Sequence, residues 1–511
     1  MSNAPDLKPT LRNWLIIIIA SIGFLFDTYQ LLMTPLAGPQ AIAELLKVPL
    51  SNPIVKDTMG NLLWMTALCG GVFGLLGGWL IDRLGRKFVM ALGIFIYSLS
   101  PVAGAFSQTL NAFIFWRCIT FIGVCIEFVA AITWMAEVFA SKAQRERWLG
   151  ITQAFASLGG ISVTAVNLWI INSTNLPHWG MPLALGATAP ASWRYLMLTG
   201  ILPAIPIALM LPFVPESEIW REKKRAGTLK RPSFAALFSP ELRRVTLITA
   251  ALSACAYALA FGCLQQTPGS IAPGLSNLAE ERQALRPLQA DAKMLNQKFD
   301  ATQPNTPERA AVMGPLKANA GKQKPLLDRV KEVGSQTQFF QEMGGLAGRI
   351  VLALLIILGI GRRRILRTFQ IPGLVIFPLV YFILYKQDVA VFSWGMALAG
   401  FVTTAQFSFL GEYLPKVFPL HLRGTGGSFA TNVGGRMIGT GAAFLTPKIA
   451  SLFTGTPFDQ MATAAGWLGL GIVVLGMLFG FGLPEPKGED MSEVAEGAKA
   501  AVQNPGATPA A

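Results

Sequence analysis

The chain has 511 residues, of which 52% are hydrophobic and only 14% charged, with a formal net charge of +14. An ordinary soluble domain carries about a quarter of its residues as Asp, Glu, Lys and Arg, so a soluble globular fold is excluded. The positive residues collect in short links between apolar blocks, without the aromatic interleaving of a base-stacking surface, which excludes nucleic acid as a partner and leaves the lipid bilayer.

Those blocks are about 20 residues long, enough for a helix to cross roughly 30 Å of hydrocarbon. Twelve spans are read near 13–35, 60–81, 88–107, 111–135, 148–172, 194–214, 244–266, 343–361, 370–386, 391–413, 424–447 and 463–483. The first resembles a secretory leader, with Lys8 and Arg12 ahead of an apolar run. No small-residue cleavage site follows and Asp27 interrupts the run, so it is read as a retained transmembrane helix. The links "DRLGRK", "SKAQRER", "REKKRAGTLKR", "GRRRILR" and "PKVFPLHLR" are all basic, and each joins an even span to the next odd one. Both termini are therefore expected in the cytoplasm, the protein being a multi-pass component of a bacterial inner membrane.

The chain repeats itself. "AEVFASKAQRERWLGITQAFASLGG" after span four resembles "GEYLPKVFPLHLRGTGGSFATNVGG" after span ten, and "DRLGRK" has a worn counterpart in "GIGRRR". Two six-span halves joined by a basic link are the mark of a secondary transporter with its site between them. The expected division is a first half at 1–220, a linker at 221–243, a second half at 244–487 and a disordered tail at 488–511.

Residues 268–340 break the symmetry. Leu275, Leu278, Leu285, Leu288, Leu295 and Phe299 recur at three- and four-residue steps and predict one amphipathic helix. "DATQPNTPE" ends it, with Thr306 as N-cap and Pro307 opening a second. The segment is read as an external helical hairpin between spans seven and eight: a cap over the mouth, a partner site or an inert elaboration.

Cys69, Cys118, Cys125, Cys255 and Cys263 all fall inside spans, and His178 and His421 lie in separate loops, so neither disulfides nor a metal site is expected. No nucleophile–base pair or phosphate-binding loop is legible, so neither an enzyme nor a bound cofactor is expected.

"GWLIDRLGRK", residues 78–87, matches the G-x-x-x-D-[RK]-x-G-R-[RK] loop signature of the major facilitator superfamily, with Gly78, Asp82, Arg83, Gly85 and Arg86 at its defined positions. "RCITFIGVCIE", "AEVFASKAQRER", "GEYLPKVFPLHLRGTG" and "VPESEIW" are similar to marks of its sugar porter and metabolite–proton symporter branch. The resemblance implies an all-α fold: twelve transmembrane helices in two pseudo-symmetric six-helix domains, with spans one, four, seven and ten around a central cavity. It also implies that Asp82 and Arg86 tie the cytoplasmic ends together with Glu137, near Arg145, and that Glu412 and Arg423 do so in the second half. "GIGRRR" lacks the acid, so the second latch is expected to be weaker.

Asp27 stands about 14 residues from the cytoplasmic start of span one, roughly 21 Å up, and Arg117 about six residues into span four from outside, roughly 9 Å down in a 30 Å core. The two share a depth, on spans that the resemblance places side by side. An intramembrane aspartate and arginine are expected to pair, since two lone charges there are far costlier. The resemblance assigns such a pair to proton coupling; the alternative is a static ion pair between two helices. Glu127, ten residues on and turned by about 80°, is either a second proton station or a packing hydrogen bond. Arg436, in "NVGGRMIG", either attracts an anionic solute or binds the carbonyls of a neighbouring helix, and Arg349 reads as structural. Gln153, Gln265, Gln266, Gln406 and Asn432 are candidate solute-binding amides, with Trp64, Trp134 or Trp394 as platforms for a sugar ring.

The expectation is a monomeric, proton-coupled symporter of a small polar metabolite, sugar or organic acid. The alternatives are an uncoupled facilitator or exporter of the same fold, and a sensor gripping a partner with its hairpin.

Overall fold

A computed structural model describes residues 10–138, 142–173, 175–214, 216–225, 234–303, 306–419 and 422–484. Among the described residues, eleven helices are long and apolar enough to cross a membrane. The twelfth pass, span eleven, escapes that measure because it is assembled from an α segment, Arg423–Ser428, a π-helical segment, Phe429–Gly439, and an α segment, Gly441–Ala450. Long π stretches are rare and gather at functional sites; this one carries Asn432 and Arg436.

Spans one to six pack together, as do seven to twelve, and the halves meet along two seams. Span two lies against span eleven and span five against span eight. Both seams rely on close backbone approach. A side chain on Gly71 or Gly74 would press on Asn432 and Arg436, one on Gly60 would meet the backbone of Ala443, and one on Gly160 would overlap the Glu342 carboxylate. Hydrocarbon gives helices little drive to associate, so small residues and close packing hold such seams.

Several boundaries differ from the sequence expectation. Span one runs Leu11–Leu45 with Pro35 and Pro39 inside it, and span two starts at Pro53. Helix Glu218–Arg225 straddles the expected boundary at 220, and the tail at 488–511 lies outside the described residues. The largest difference is span eight, a single 51-residue helix, Pro307–Ile357, whose first half is the second arm of the insertion. Thr306 caps it, accepting from the Arg309 N–H at 3.3 Å. The first arm is Ala279–Ala301, against which Asn319 and Gln323 donate to the Leu288 carbonyl at 3.0 and 3.2 Å. It starts later than its leucine pattern suggests. Pro268, Gly269, Pro273 and Gly274 break the chain into short π and 3-10 turns, and Leu275 and Leu278 are fully buried in the core of the second half.

At the end opposite the hairpin, each half is tied by its own charges. Gly85 (φ 96°, ψ 159°) turns span two into span three in a conformation nearly confined to glycine. The Glu216 carboxylate packs against that turn and accepts from the N–H groups of Arg86 (2.9 Å) and Lys87 (3.2 Å), a carboxylate at a helix N-terminus. In the second half Glu412 accepts from Arg362 at 2.8 Å and from Lys416. The side chains of Asp82, Glu137, Arg145 and Arg423, and the burial of Gly78, lie outside the described residues. Arg83 is exposed at the end of span two.

Candidate functional site

Asp27 and Glu127 are buried together in the first half, 7% and 0% exposed. Their carboxyls are close enough to act on one another. Among the described residues, no N–H or O–H group donates to either oxygen of either acid. Two carboxylates only accept, so a bond between them exists only when one carries a proton. Span four presents its acid to span one because both partners are stripped down at the contact. Glu127 Oε1 occupies the volume a side chain on Gly23 would need, one turn from Asp27, and its backbone lies against Gly93 of span three. The Tyr97 hydroxyl, in span three, is also buried without a partner, within electrostatic reach of both acids.

The expected Asp27–Arg117 pair is not formed. Arg117 is fully buried and donates from Nη2 to the Gln30 carbonyl (2.7 Å) and Thr34 Oγ1 (2.6 Å), with the sulfurs of Met33 and Met197 about Nη1 and, among the described residues, no partner for Nε. It touches span one, but one to two turns further toward the hairpin, about 4.5–10 Å along the axis. Depth was counted from assumed membrane faces, whereas spans one and four are helices of 35 and 29 residues that overrun such faces.

The cation whose charge reaches Asp27 comes from the other half. Arg436 lies 5.4 Å from the ring centre of Phe128, the residue after Glu127, and donates to Asn432 Oδ1 at 2.7 Å. It does not bind the carbonyls of a neighbouring helix in any described contact; it spans the seam. The second half has its own buried acid, Glu342, which the sequence reading passed over. Its Oε1 accepts from Gln341 Nε2 at 3.0 Å, and Arg349, two turns on, is within charge range.

The amides divide. Gln265 and Gln266 are buried where span seven breaks; Gln266 donates to the Ala443 carbonyl at 3.2 Å, and the Oε1 atoms of both lack a donor. Gln30, Gln338 and Gln341 add three more unpartnered amide oxygens from spans one and eight. Gln338 and Gln341 precede the expected start of span eight at 343, and Gln30 lies within span one, where Asp27 drew the reading. Gln406 is turned onto its own helix, donating to the Val402 carbonyl at 3.1 Å, and Asn432 is engaged by Arg436 and Ser428. The Gln153 side chain lies outside the described residues. Trp394 is 66% exposed, stacked edge-on with Phe340 at the bundle surface, so it is no cavity platform; Trp134 is packed in the first-half core, and Trp64 lies by Phe444.

The halves are joined at the hairpin end. Gln338 donates to the Leu32 carbonyl (3.4 Å), Asn167 to Ser335 (2.8 Å) and Lys56 to Gln460 (2.9 Å), and Gly269 packs directly on Pro39.

Comparison with known proteins places this geometry. The chain is 29% identical over 208 residues to synaptic vesicle glycoprotein 2B of Mus musculus, covering 40% of this chain and 28% of the relative. It is 27% identical over 208 residues to the cis,cis-muconate transport protein of Acinetobacter baylyi (40% and 45%) and 26% identical over 208 to the arabinose-proton symporter of Bacillus subtilis (40% and 38%). The matches thus span less than half the length of these relatives. A solved D-xylose-proton symporter superposes with a TM-score of 0.64 over 93% of this chain and 99% of its own, at 16% identity, a likeness of fold alone. The sequence profile of the Major Facilitator Superfamily matches residues 12–275, just over half the chain. With two six-span halves, a loop signature whose described residues close the turn between spans two and three, and that match, the chain belongs to the Major Facilitator Superfamily.

Proposed function

We propose that the protein is a secondary transporter that moves a small polar solute together with protons by alternating access, working as a monomer with no cofactor beyond the coupling ion. It sits in a bacterial inner membrane with both termini in the cytoplasm and the hairpin outside. The observation that carries this reading is the Asp27–Glu127 pair: two buried acids in contact, without a protein donor, that only a proton satisfies. The printed names of relatives that transport arabinose with protons, or muconate, support a solute that is a sugar or an organic acid.

The coupling device is a carboxyl pair in one half and an arginine in the other. Arg436 reaches Asp27 across the seam between spans two and eleven. With the hairpin end closed, Arg436 lies near and favours the ionised pair, the state that releases a proton inward. When the halves rock apart, the arginine recedes, and a proton from outside replaces its charge. Arg117, anchored within the first half, holds span one against span four instead of switching.

The test is uptake into proteoliposomes of purified protein, with and without an imposed pH gradient, across a panel of sugars and carboxylates. Asp27→Asn should abolish accumulation against a gradient while sparing equilibrium exchange. A variant that still concentrates solute when driven by pH would remove the aspartate from the coupling, and gradient-independent uptake by the unaltered protein would leave a facilitator.

A further inference from the structure

The hairpin does not stand clear of the bundle. Between its two arms and the first-half loop around 173–195 lies a cavity of about 950 Å³. Five lysines line it, namely Lys47, Lys293, Lys317, Lys324 and Lys331, against the carboxylates of Glu44 and Asp328. Those two acids are already engaged. Glu44 binds the buried Arg194 at 2.8 Å, and Asp328 is shared by Lys324 (2.9 Å) and Lys331 (3.0 Å). Lys47 is 3.6 Å from Asp300, which ties span one to the far end of the first arm. Lys293 and Lys317, one on each arm, have no carboxylate partner among the described residues. The walls therefore carry uncompensated positive charge, and a concave, low-dielectric wall of one sign concentrates ions of the other.

The cavity leads to the seam. Gln40, Leu50 and Lys331 line both it and a narrow crevice that continues between Pro35 and Pro39 of span one and Pro268 and Gly269 at the break of span seven. That crevice reaches Asn167 and Gly334 at the hairpin end, where Gly269 packs on Pro39. A solute entering from this side meets the lysines first.

We propose that the cavity is an anion-collecting vestibule and that the solute carries a carboxylate, drawn by Lys293 and Lys317. This rests on the transport reading above for what lies beyond the gate, but the vestibule itself is a binding site with its own readout.

The experiment compares D-gluconate with sorbitol, which has a –CH2OH where gluconate has its carboxylate. Saturation-transfer NMR on the full-length protein in detergent should detect gluconate. The signal should fall at least about fivefold in 0.5 M salt, as screening shortens to a few ångströms, and likewise in the double variant Lys293→Glu, Lys317→Glu. Sorbitol should respond to neither change. The milder Lys293→Gln, Lys317→Gln pair, checked for folding by gel filtration, should give an intermediate loss. Sorbitol binding as well as gluconate, or gluconate binding unchanged in a folded double variant, overturns the vestibule. The two readings fail separately. Gluconate bound at the vestibule without pH-driven uptake of any solute would keep the vestibule and sink the symport. pH-driven gluconate uptake with the same rate at low concentration in both double variants would do the reverse.

Discussion

Each half buries a carboxylate at a contact with a glycine, yet the two are treated differently. In the second half Glu342 lies against Gly160 across the seam, takes a hydrogen bond from Gln341 and has Arg349 on the same helix face. In the first half Asp27 and Glu127 have no protein donor among the described residues, and the nearby Arg117 turns Nη2 to Gln30 and Thr34. An acid given a donor and a cation inside its own half keeps those partners as that half moves. An acid pair given neither waits for a proton, or for a cation delivered by the other half. On the proposed function, the contrast puts coupling in the first half and anchoring in the second.

The comparison breaks most cleanly at its strong side. Glu127→Gln should, like Asp27→Asn, collapse pH-driven accumulation to the equilibrium ratio, because an amide keeps the volume beside Gly23 but cannot exchange a proton. Full accumulation in Glu127→Gln with loss in Asp27→Asn would reduce the pair to a single site. Gly23→Ala comes next. The methyl overlaps Glu127 Oε1, and pushing that side chain aside should lower stability by about 1–3 kcal/mol, read as a fall in the thermal denaturation midpoint in detergent. Combining it with Glu127→Ala should recover most of the loss, since the obstructing carboxylate is gone.

Arg117→Gln sharpens the assignment. It removes two buried charge-assisted bonds, and in a membrane interior such bonds contribute about 1–2 kcal/mol together, so the denaturation midpoint should drop while coupling survives. Uncoupled but equally stable protein would restore the Asp27–Arg117 switch that the residue count suggested. The smallest effect is expected on the anchoring side. Glu342→Gln preserves an acceptor for Gln341, and pH-driven accumulation should stay within about twofold, as for a buried charge replaced by its neutral isostere. Loss of accumulation there would erase the contrast between the halves.

Much of this was open to reading from the residues. Runs of apolar side chains as long as the hydrocarbon is thick, and lysines and arginines on alternate links, are local facts of the chain, and they yield twelve passes in two related halves. Thr306–Pro307 likewise marks a helix start by its own chemistry, and the structure has one there. Gly85 carries its positive φ at the place the loop signature gives it. The first arm was misjudged by one turn because Leu275 and Leu278 fit the helical period, whereas Pro268, Pro273 and the core beneath them decide otherwise.

What the sequence determined by itself was therefore the solvent of the protein, its number of passes and which few charges stand inside them. The pairing of those charges belonged to the tertiary structure alone. Depth along a helix follows from counting residues, but which faces meet depends on tilt, on how far each helix overruns the membrane, and on where glycines let two backbones close up. At Gly23 and Gly93 they let Glu127 in beside Asp27, and one to two turns away Arg117 found a carbonyl and a hydroxyl. A buried charge takes the partner its backbone contacts bring within about 3 Å, and a one-dimensional pattern does not contain that distance.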